Sequence, residues 1–240
     1  AKYTDLKEAI TENAPFDTVH ICTPNNTHLE LAQIAGACSK MVFVEKPGVA
    51  TPNEWATLVA HCPYTRFIMV KNNMWRSNIE ELRTLASQAK TVNLNWINKD
   101  RVPNPGTWFT TKEFAFGGVS RDLIPHLLSL FISLNPDWLS ASVNGQGTQM
   151  KWKLEDLTTT EYGTVKSDGT YDVDDFCHIS FGNKWNLKAD WRSMTEDKRN
   201  IEFIMQDNSV QTFELGLCPE DAYERMIKDC IDHYNDADFW

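Results

Sequence analysis

The chain has 240 residues, 42% of them hydrophobic and 23% charged, which is enough to bury the core of one large domain or two small ones. Its formal net charge of −10 argues against a nucleic acid or an anionic membrane as a partner. No apolar run approaches the roughly 18 residues of a membrane span, and we recognise no signal peptide.

The first third of the chain alternates helices with short apolar strands. Helices are predicted at 3–13, 27–36 and 53–61, and strands at 18–22, 41–44 and 67–70. This alternation is typical of a parallel sheet covered by helices on both faces. In such sheets ligands bind at the loops that follow the carboxyl ends of the strands. Here those loops are 23–28, 45–51 and 71–75.

Beyond about residue 90 hydrophobic and polar residues alternate, as in strands with one buried face. The alternating segments are TVNLNWIN, CHISF, WNLKADW, IEFIM and VQTFEL. A helix is predicted between the two regions at 119–133, and an amphipathic helix at 219–233. We therefore predict an antiparallel sheet in this part and a division of the chain near residue 74.

Six cysteines are scattered through the chain without a CxxC pair. This spacing predicts reduced, mostly buried thiols and neither a disulfide framework nor a zinc site. We therefore expect a cytoplasmic protein that holds no metal.

The stretch VFVEKPGVAT ends a predicted buried strand on Glu45, Lys46 and Pro47. A lysine at the carboxyl end of a parallel strand lies where ligands bind, and it can donate to a substrate oxygen or exchange a proton with it. Pro47 fixes its own φ and restricts the residue before it. The alternative is a solvated loop cation that pairs with Glu45.

The stretch GGVSRDLIPHLLSL places Asp122 and His126 four residues apart, on one face of the predicted helix. A carboxylate can fix the tautomer of a histidine for acid–base work. The preceding Gly117 and Gly118 permit close approach of the backbone to a ligand. The alternative is a helix N-terminal acid and a hydrogen-bonded interior histidine.

The stretch TPNNTH follows the first predicted strand, and Asn26 or Thr27 is expected to cap the next helix. A helix N-terminus after a strand suits a phosphate or a ribose. The alternative is an ordinary strand–helix turn.

In this order the motifs resemble the Gfo/Idh/MocA family of NAD(P)-dependent oxidoreductases. The similar segments are YTDLKEAI, DTVHICTPNNTHLELA, MVFVEKPGVAT, PGTWF, FGGVSRDLIPHLLSL and AYERMIKDCIDHY. They cover roughly residues 2–131 and 222–234.

The resemblance implies an α/β fold in two domains. Residues 1–74 would be a partial, Rossmann-like parallel dinucleotide-binding domain. Residues 75–240 would be an α+β domain with an open, mainly antiparallel sheet that binds the substrate and mediates homo-oligomers.

The resemblance also implies a reaction, in which a hydride passes between NAD or NADP and a hydroxyl carbon of a sugar, a cyclitol or a related small molecule. Lys46, Asp122 and His126 take the catalytic positions. By this resemblance His126 exchanges the hydroxyl proton, Lys46 polarises the same oxygen, and Asp122 orients His126 or holds a neighbouring hydroxyl. Trp75 is a further candidate beside the substrate. The implied cofactor contacts are Thr23, Pro24, Asn25, Asn26, His28, Glu45, Lys46, Asn73 and Trp108.

The chain departs from the family in one large respect, because it contains no GxGxxG. The strand–helix–strand unit of at least ~30 residues that carries this motif, and that holds the pyrophosphate and ribose, is not recognised. We expect the sequence to be part of a longer protein. The alternative is a naturally short, non-catalytic ligand-sensing or scaffold protein. NAD and NADP cannot be told apart without that unit. A smaller departure is Ile124, where the helix motif often has glycine.

Overall fold

The computed structural model describes residues 2–4, 6–157, 160–216, 218–237 and 239. The chain divides into two compact units, Ala1–Val70 and Lys71–Trp240. The sequence placed this division a few residues further along, near residue 74.

The first unit contains a three-stranded parallel sheet in the order β1-β2-β3. Its elements are α1 (Leu6–Asn13), β1 (Phe16–Ile21), α2 (His28–Gly36), β2 (Ser39–Val44), α3 (Pro52–His61) and β3 (Arg66–Met69). Ile21 pairs with Val44, and Val44 pairs with Met69. The three strands therefore end level with one another, and the loops after them begin at one edge of the sheet.

Apolar side chains of the strands and helices form the core of this unit. Its buried residues are Ile21, Ala32, Ala35, Val42, Val44 and Leu58. Helix α3 starts at Pro52 because Thr51 and Glu54 form a capping box, in which each side chain bonds the backbone of the other. Every predicted helix and strand of this region is present, with ends shifted by a few residues.

The second unit contains a six-stranded sheet in the order β5-β6-β7-β4-β8-β9. Its strands are β4 (Thr91–Ile97), β5 (Val143–Gln149), β6 (Phe176–Phe181), β7 (Trp185–Asp190), β8 (Lys198–Ile204) and β9 (Val210–Glu214). Neighbours pair antiparallel except β4 and β7, which are parallel. The predicted fold class, a parallel Rossmann-like sheet followed by a mainly antiparallel one, is confirmed.

The helices of this unit are α4 (Ile79–Gln88), α5 (Lys112–Ala115), α6 (Val119–Asp122), α7 (Ile124–Leu134) and α8 (Glu220–Asp232). Helices α6 and α7 pack on one face of the sheet, and α4 packs on α7. Alternate strand residues such as Val92, Leu94 and Ile201 lie in the core with Leu127 and Leu130 of α7. The alternation in the sequence is thus that of a sheet with one buried face, as predicted.

The single helix predicted at 119–133 is wrong, because the structure has two helices that meet at Leu123. Pro125 has no backbone N–H, so the carbonyl of Arg121 lacks its usual helical donor. Asp122 is the last residue of α6, and His126 lies in the first turn of α7. The two side chains therefore do not share one continuous helix.

All six cysteines lie in the described part of the chain as free thiols. Cys177 and Cys230 are buried and Cys22 is exposed. Burial raises the pKa of Cys177 to about 12 and that of Cys230 to about 11. Among the described residues, no helix is long and apolar enough to cross a membrane, and no group of three acidic, histidine or cysteine side chains could hold a metal ion.

Replacement of Leu94 by alanine should destabilise the second unit strongly. Leu94 is 0% exposed in the central strand β4, so Leu94→Ala should lower the free energy of unfolding by about 2–5 kcal/mol. Urea titration followed by tryptophan fluorescence measures this loss. Leu139 is 83% exposed, and Leu139→Ala should stay within about 0.5 kcal/mol of the parent. Equal losses in the two variants would contradict the assignment of Leu94 to the core.

Candidate functional site

In the first unit, His28 joins the loops that follow β1 and β2. Its Nδ1 lies 2.9 Å from the carbonyl oxygen of Pro47, and its Nε2 lies 2.8 Å from that of Thr23. The side chain is fully buried. A carbonyl only accepts hydrogen bonds, so the neutral ring bonds one loop at a time and the doubly protonated ring bonds both. Both ring nitrogens thus face backbone groups of the chain. The contact of His28 with a cofactor stays a prediction.

The segment between β1 and α2 forms a short turn in which side chains bond the backbone. Thr27 is the N-cap residue of α2, but its side chain makes no capping hydrogen bond. Its hydroxyl donates to the carbonyl of Pro24 at 2.7 Å and contacts the hydroxyl of Thr23 at 2.6 Å. The expected cap by Thr27 is therefore wrong, because its hydroxyl is held by the preceding turn. Asn25 is buried, and Asn26 is exposed.

The loop after β2 holds Lys46 between the sheet and a buried segment. Glu45 continues the strand pairing, with its N–H bonded to the carbonyl of Ile21 at 3.0 Å. Residues 47–49 are buried, and a Cβ on Gly48 would lie 2.6 Å from the ring of Trp55. Lys46 itself is half-buried, and its peptide bond to Pro47 is cis. The packing of its neighbours fixes the backbone that carries this lysine.

In the second unit, His126 lies against Asn73 and Trp96. Asn73 Nδ2 is 3.3 Å from His126 Nδ1, and the imidazole stacks on the Trp96 indole with 5.0 Å between ring centroids. Arg76 Nε donates to Asn73 Oδ1 at 2.9 Å. Asn73 and Arg76 are 3% and 8% exposed. Burial lowers the pKa of the Arg76 guanidinium from its usual value.

Asp122 accepts a hydrogen bond from Trp191, whose indole Nε1 lies 3.0 Å from Asp122 Oδ2. The carboxylate of Asp174 holds the start of α6, accepting from the backbone N–H of Gly118 at 3.0 Å and of Ser120 at 2.7 Å. A Cβ on Gly118 would lie 1.8 Å from the Asp174 carbonyl oxygen. This glycine therefore permits close approach of the chain to itself. The orientation of His126 by Asp122 stays a prediction.

Two further tryptophans named from the sequence have contacts within the second unit. Trp75 Nε1 donates to Asp229 of α8 at 2.9 Å, and Arg225 Nε donates to the Trp75 carbonyl at 2.7 Å. These bonds attach α8 to the start of the unit. Trp108 is half-buried and lies against Phe109, with 4.1 Å between ring centroids.

Sequence reasoning did not include Arg76, Trp96 and Trp191 among the candidate residues. Trp96 follows Val92 and Leu94 on the inward side of β4, so alternation was a usable signal for it. Arg199 of the neighbouring strand lies over its ring, with the guanidinium carbon 4.1 Å from the centroid. No sequence signal distinguishes a buried arginine such as Arg76 from a solvated one.

Comparison with known proteins supports the recognition made from the motifs. Residues 1–70 match the model of Gfo/Idh/MocA, described as oxidoreductase family, NAD-binding Rossmann fold. This confirms the resemblance to the family.

Two curated relatives are named as oxidoreductases. A putative UDP-kanosamine synthase oxidoreductase subunit of Amycolatopsis mediterranei is 27% identical over 228 residues, 88% of this chain and 62% of that protein. Oxidoreductase P35 of Formosa agariphila is 31% identical over 147 residues, 54% of this chain and 44% of that protein. The chain thus spans less than two thirds of the length of each.

Solved structures show the same fold. GenD2 from gentamicin A biosynthesis, in complex with NAD, superposes with a TM-score of 0.66 at 21% identity, over 98% of this chain and 72% of that one. Levoglucosan dehydrogenase, in complex with NADH and levoglucosan, gives a TM-score of 0.65 at 20% identity. The match covers 93% of this chain and 58% of that one. At these identities the likeness establishes the fold alone.

Removal of the His28 imidazole should loosen the edge of the first sheet. His28→Ala removes the hydrogen bond to the carbonyl that the ring bonds, at about 1–3 kcal/mol if that carbonyl stays buried, and the packing of the ring between the loops. We expect faster amide hydrogen exchange in 23–28 and 45–51 and a loss of about 1–3 kcal/mol in the free energy of unfolding.

The matched control for this variant is His61→Ala. His61 is exposed, and its Nδ1 contacts only a carbonyl of its own helix, that of Thr57, among the hydrogen bonds described. His61→Ala should leave amide hydrogen exchange in residues 23–28 and 45–51 unchanged. Unaltered exchange in His28→Ala would show that the imidazole does not hold the loops.

Proposed function

We propose that this protein is an NAD-dependent oxidoreductase that acts on a hydroxyl-bearing carbon of a sugar, a cyclitol or a related small molecule. The match of residues 1–70 to an NAD-binding oxidoreductase family carries the proposal. The relatives add support, because one is named for UDP-kanosamine synthesis and another was solved with NADH and levoglucosan. NAD is favoured over NADP because the matched family is described as NAD-binding.

The residues of the first unit fit a nicotinamide cofactor. The strands of its parallel sheet end level, and the loops after β1 and β2 carry the polar side chains of Thr23, Asn26 and Lys46 at that edge. When bound, the nicotinamide ring would accept or donate the hydride. We propose that His28 acts indirectly, because its buried ring lies between the two loops. Pro24, Asn25 and Glu45 remain proposed contacts, and so does Trp108 in the second unit.

We propose that Lys46, His126 and Asp122 serve the reaction. Lys46 and His126 would act on the oxygen of the reacting hydroxyl, and Asp122 would hold a neighbouring group of the substrate or the histidine. A correctly placed acid–base group contributes ~10²–10⁴ in rate. The backbone around Lys46 is packed, and Asp122 is held by Trp191, as preorganised groups require.

Substitution of the proposed residues should abolish turnover without abolishing cofactor binding. Lys46→Met and His126→Ala should each lower kcat/KM by about 10² or more, because each removes a polar group from the reacting oxygen. The full natural chain would be assayed with NAD on aldoses, cyclitols and UDP-hexoses, and NADH affinity measured by calorimetry.

Lys40→Met is the matched control. Lys40 lies on β2 and pairs with Asp17 at the surface, so this change should leave turnover at the parent rate. Failure of the parent chain to bind NADH would overturn the proposal in favour of a non-catalytic ligand-sensing or scaffold role. Retained turnover in Lys46→Met and His126→Ala would refute the assigned roles.

We further propose that the protein forms a homo-oligomer through the six-stranded sheet. The face opposite the helices carries a row of hydrogen-bonded polar side chains that crosses β6, β7, β4 and β8. Ser180 donates to Asn186 at 2.9 Å, Asn186 to Asn93 at 3.1 Å, and Asn93 to Glu202 at 3.3 Å. These bonds hold the row as an ordered, part-exposed surface, which suits association with a second copy.

A charge placed in this row should separate the copies. Light scattering after gel filtration should give the parent a multiple of the single-chain mass, and Asn186→Arg should reduce it to one chain, because unpaired charge is disfavoured in an interface. Gln88→Arg, an exposed position on α4, should leave the mass unchanged. A parent of single-chain mass would contradict the oligomer.

We propose a cytoplasmic location. All six cysteines, which lie in the described part of the chain, are free thiols. Free thiols persist in compartments that are kept reducing, and the proposed cofactor circulates there.

A further inference from the structure

The hydrogen bonds of Arg76, Asn73 and His126 form a chain of fixed direction. Arg76 Nε lies 2.9 Å from Asn73 Oδ1, and Asn73 Nδ2 lies 3.3 Å from His126 Nδ1. Arg76 and Asn73 are buried, and His126 is half-buried. The polar atoms of Arg76 and Asn73 therefore depend on their protein partners, because water is not at hand to replace them.

The guanidinium sets the orientation of the Asn73 amide. Arginine has donors and no acceptor, so only the amide oxygen can face Arg76. A rotated amide would put its NH₂ against the guanidinium N–H, donor against donor. The NH₂ of Asn73 is therefore the group that faces His126.

The amide in turn selects the form of the His126 ring. Asn73 Nδ2 donates, so His126 Nδ1 must present a lone pair. A neutral imidazole with an unprotonated Nδ1 carries its proton on Nε2. The imidazolium and the Nδ1–H tautomer would both place an N–H against the amide N–H. The ring thus meets its other partners with an N–H at Nε2.

The imidazole of His126 also stacks on the indole of Trp96. The imidazole and indole planes are 25° apart, with 5.0 Å between centroids.

We propose that His126 works as a neutral hydrogen-bond donor through Nε2–H, and that Asn73, fixed by Arg76, is the positioning residue that keeps it so. This rests on the proposed function. In the oxidation, the C–H electron pair leaves as hydride to the nicotinamide, and the O–H proton passes to the Lys46 amine. The Nε2–H bond of His126 stays intact and stabilises the charge on the oxygen. Reduction reverses each transfer.

This assignment differs from the roles implied by family resemblance. There His126 exchanges the proton and Asn73 contacts the cofactor. A ring already protonated at Nε2 cannot accept a proton there, and loss of that proton would leave an imidazolate. Proton exchange therefore falls to Lys46, the other group proposed at the oxygen.

The tautomer of His126 can be measured without an activity assay. Nitrogen-15 NMR of the full chain near pH 7, without cofactor, should show His126 with an unprotonated Nδ1 and a protonated Nε2, assigned by the signals that vanish in His126→Gln. In Asn73→Asp, the carboxylate only accepts, so Nδ1 should become protonated. Asn95→Asp places an acid at another buried asparagine of the same unit and should leave the tautomer unchanged.

An imidazolium or an Nδ1–H tautomer in the parent would overturn the inference, whatever the variants do. An unchanged tautomer in Asn73→Asp would also overturn it. These results do not depend on activity. Absence of NADH binding would instead refute the proposed function and leave the tautomer assignment standing.

Kinetics separate a hydrogen-bond donor from a proton exchanger. Glutamine can donate a hydrogen bond but cannot exchange a proton, so His126→Gln should retain about tenfold more kcat than His126→Ala. Lys46→Met should lower kcat more than His126→Gln does, because it removes the proton acceptor. Equal kcat in His126→Gln and His126→Ala would assign proton exchange to His126.

Discussion

Buried polar groups need hydrogen-bond partners, and this requirement determines the arrangement of the candidate residues in both units. Arg76 can only donate, so the asparagine beside it presents its oxygen to the guanidinium and its NH₂ to His126. In the first unit the buried His28 lies between two carbonyls, one in each of the loops after β1 and β2. His126, which is proposed to act in the reaction, is thus held by Asn73, and the orientation of the Asn73 amide is in turn fixed by Arg76.

Periodicity in the sequence predicted most of the fold, and specific local features explain what it did not predict. Apolar runs identified β1 to β3, and alternation identified five strands of the larger sheet. Strand β5 has the sequence VNGQGTQ, in which two glycines and exposed polar residues hide the pattern. Alternation carries no information on strand direction, so the parallel pairing of β4 with β7 was not predicted.

Helix α4 was overlooked, although its signal is present in the sequence. Its buried residues Ile79, Leu82 and Ala86 lie at helical spacing.

The candidate site was less predictable than the fold, because its partners come from distant parts of the chain. The sequence named Asn73 and His126 but did not pair them, since 53 positions separate them. It paired Asp122 with His126 on one helix, whereas Pro125 divides that helix and Trp191 bonds the carboxylate. Motif reasoning therefore located residues that matter for the proposed chemistry, and tertiary contacts determined what each is bonded to.

The position of His28 has a consequence for how the chain can evolve. Surface loops usually tolerate insertions and deletions independently of one another. Here one imidazole spans two loops, so a change of length in either would move a carbonyl out of its reach. Relatives that retain a histidine at this position should therefore vary the two loops together or leave both at constant length, whereas relatives that lack it are released from this coupling.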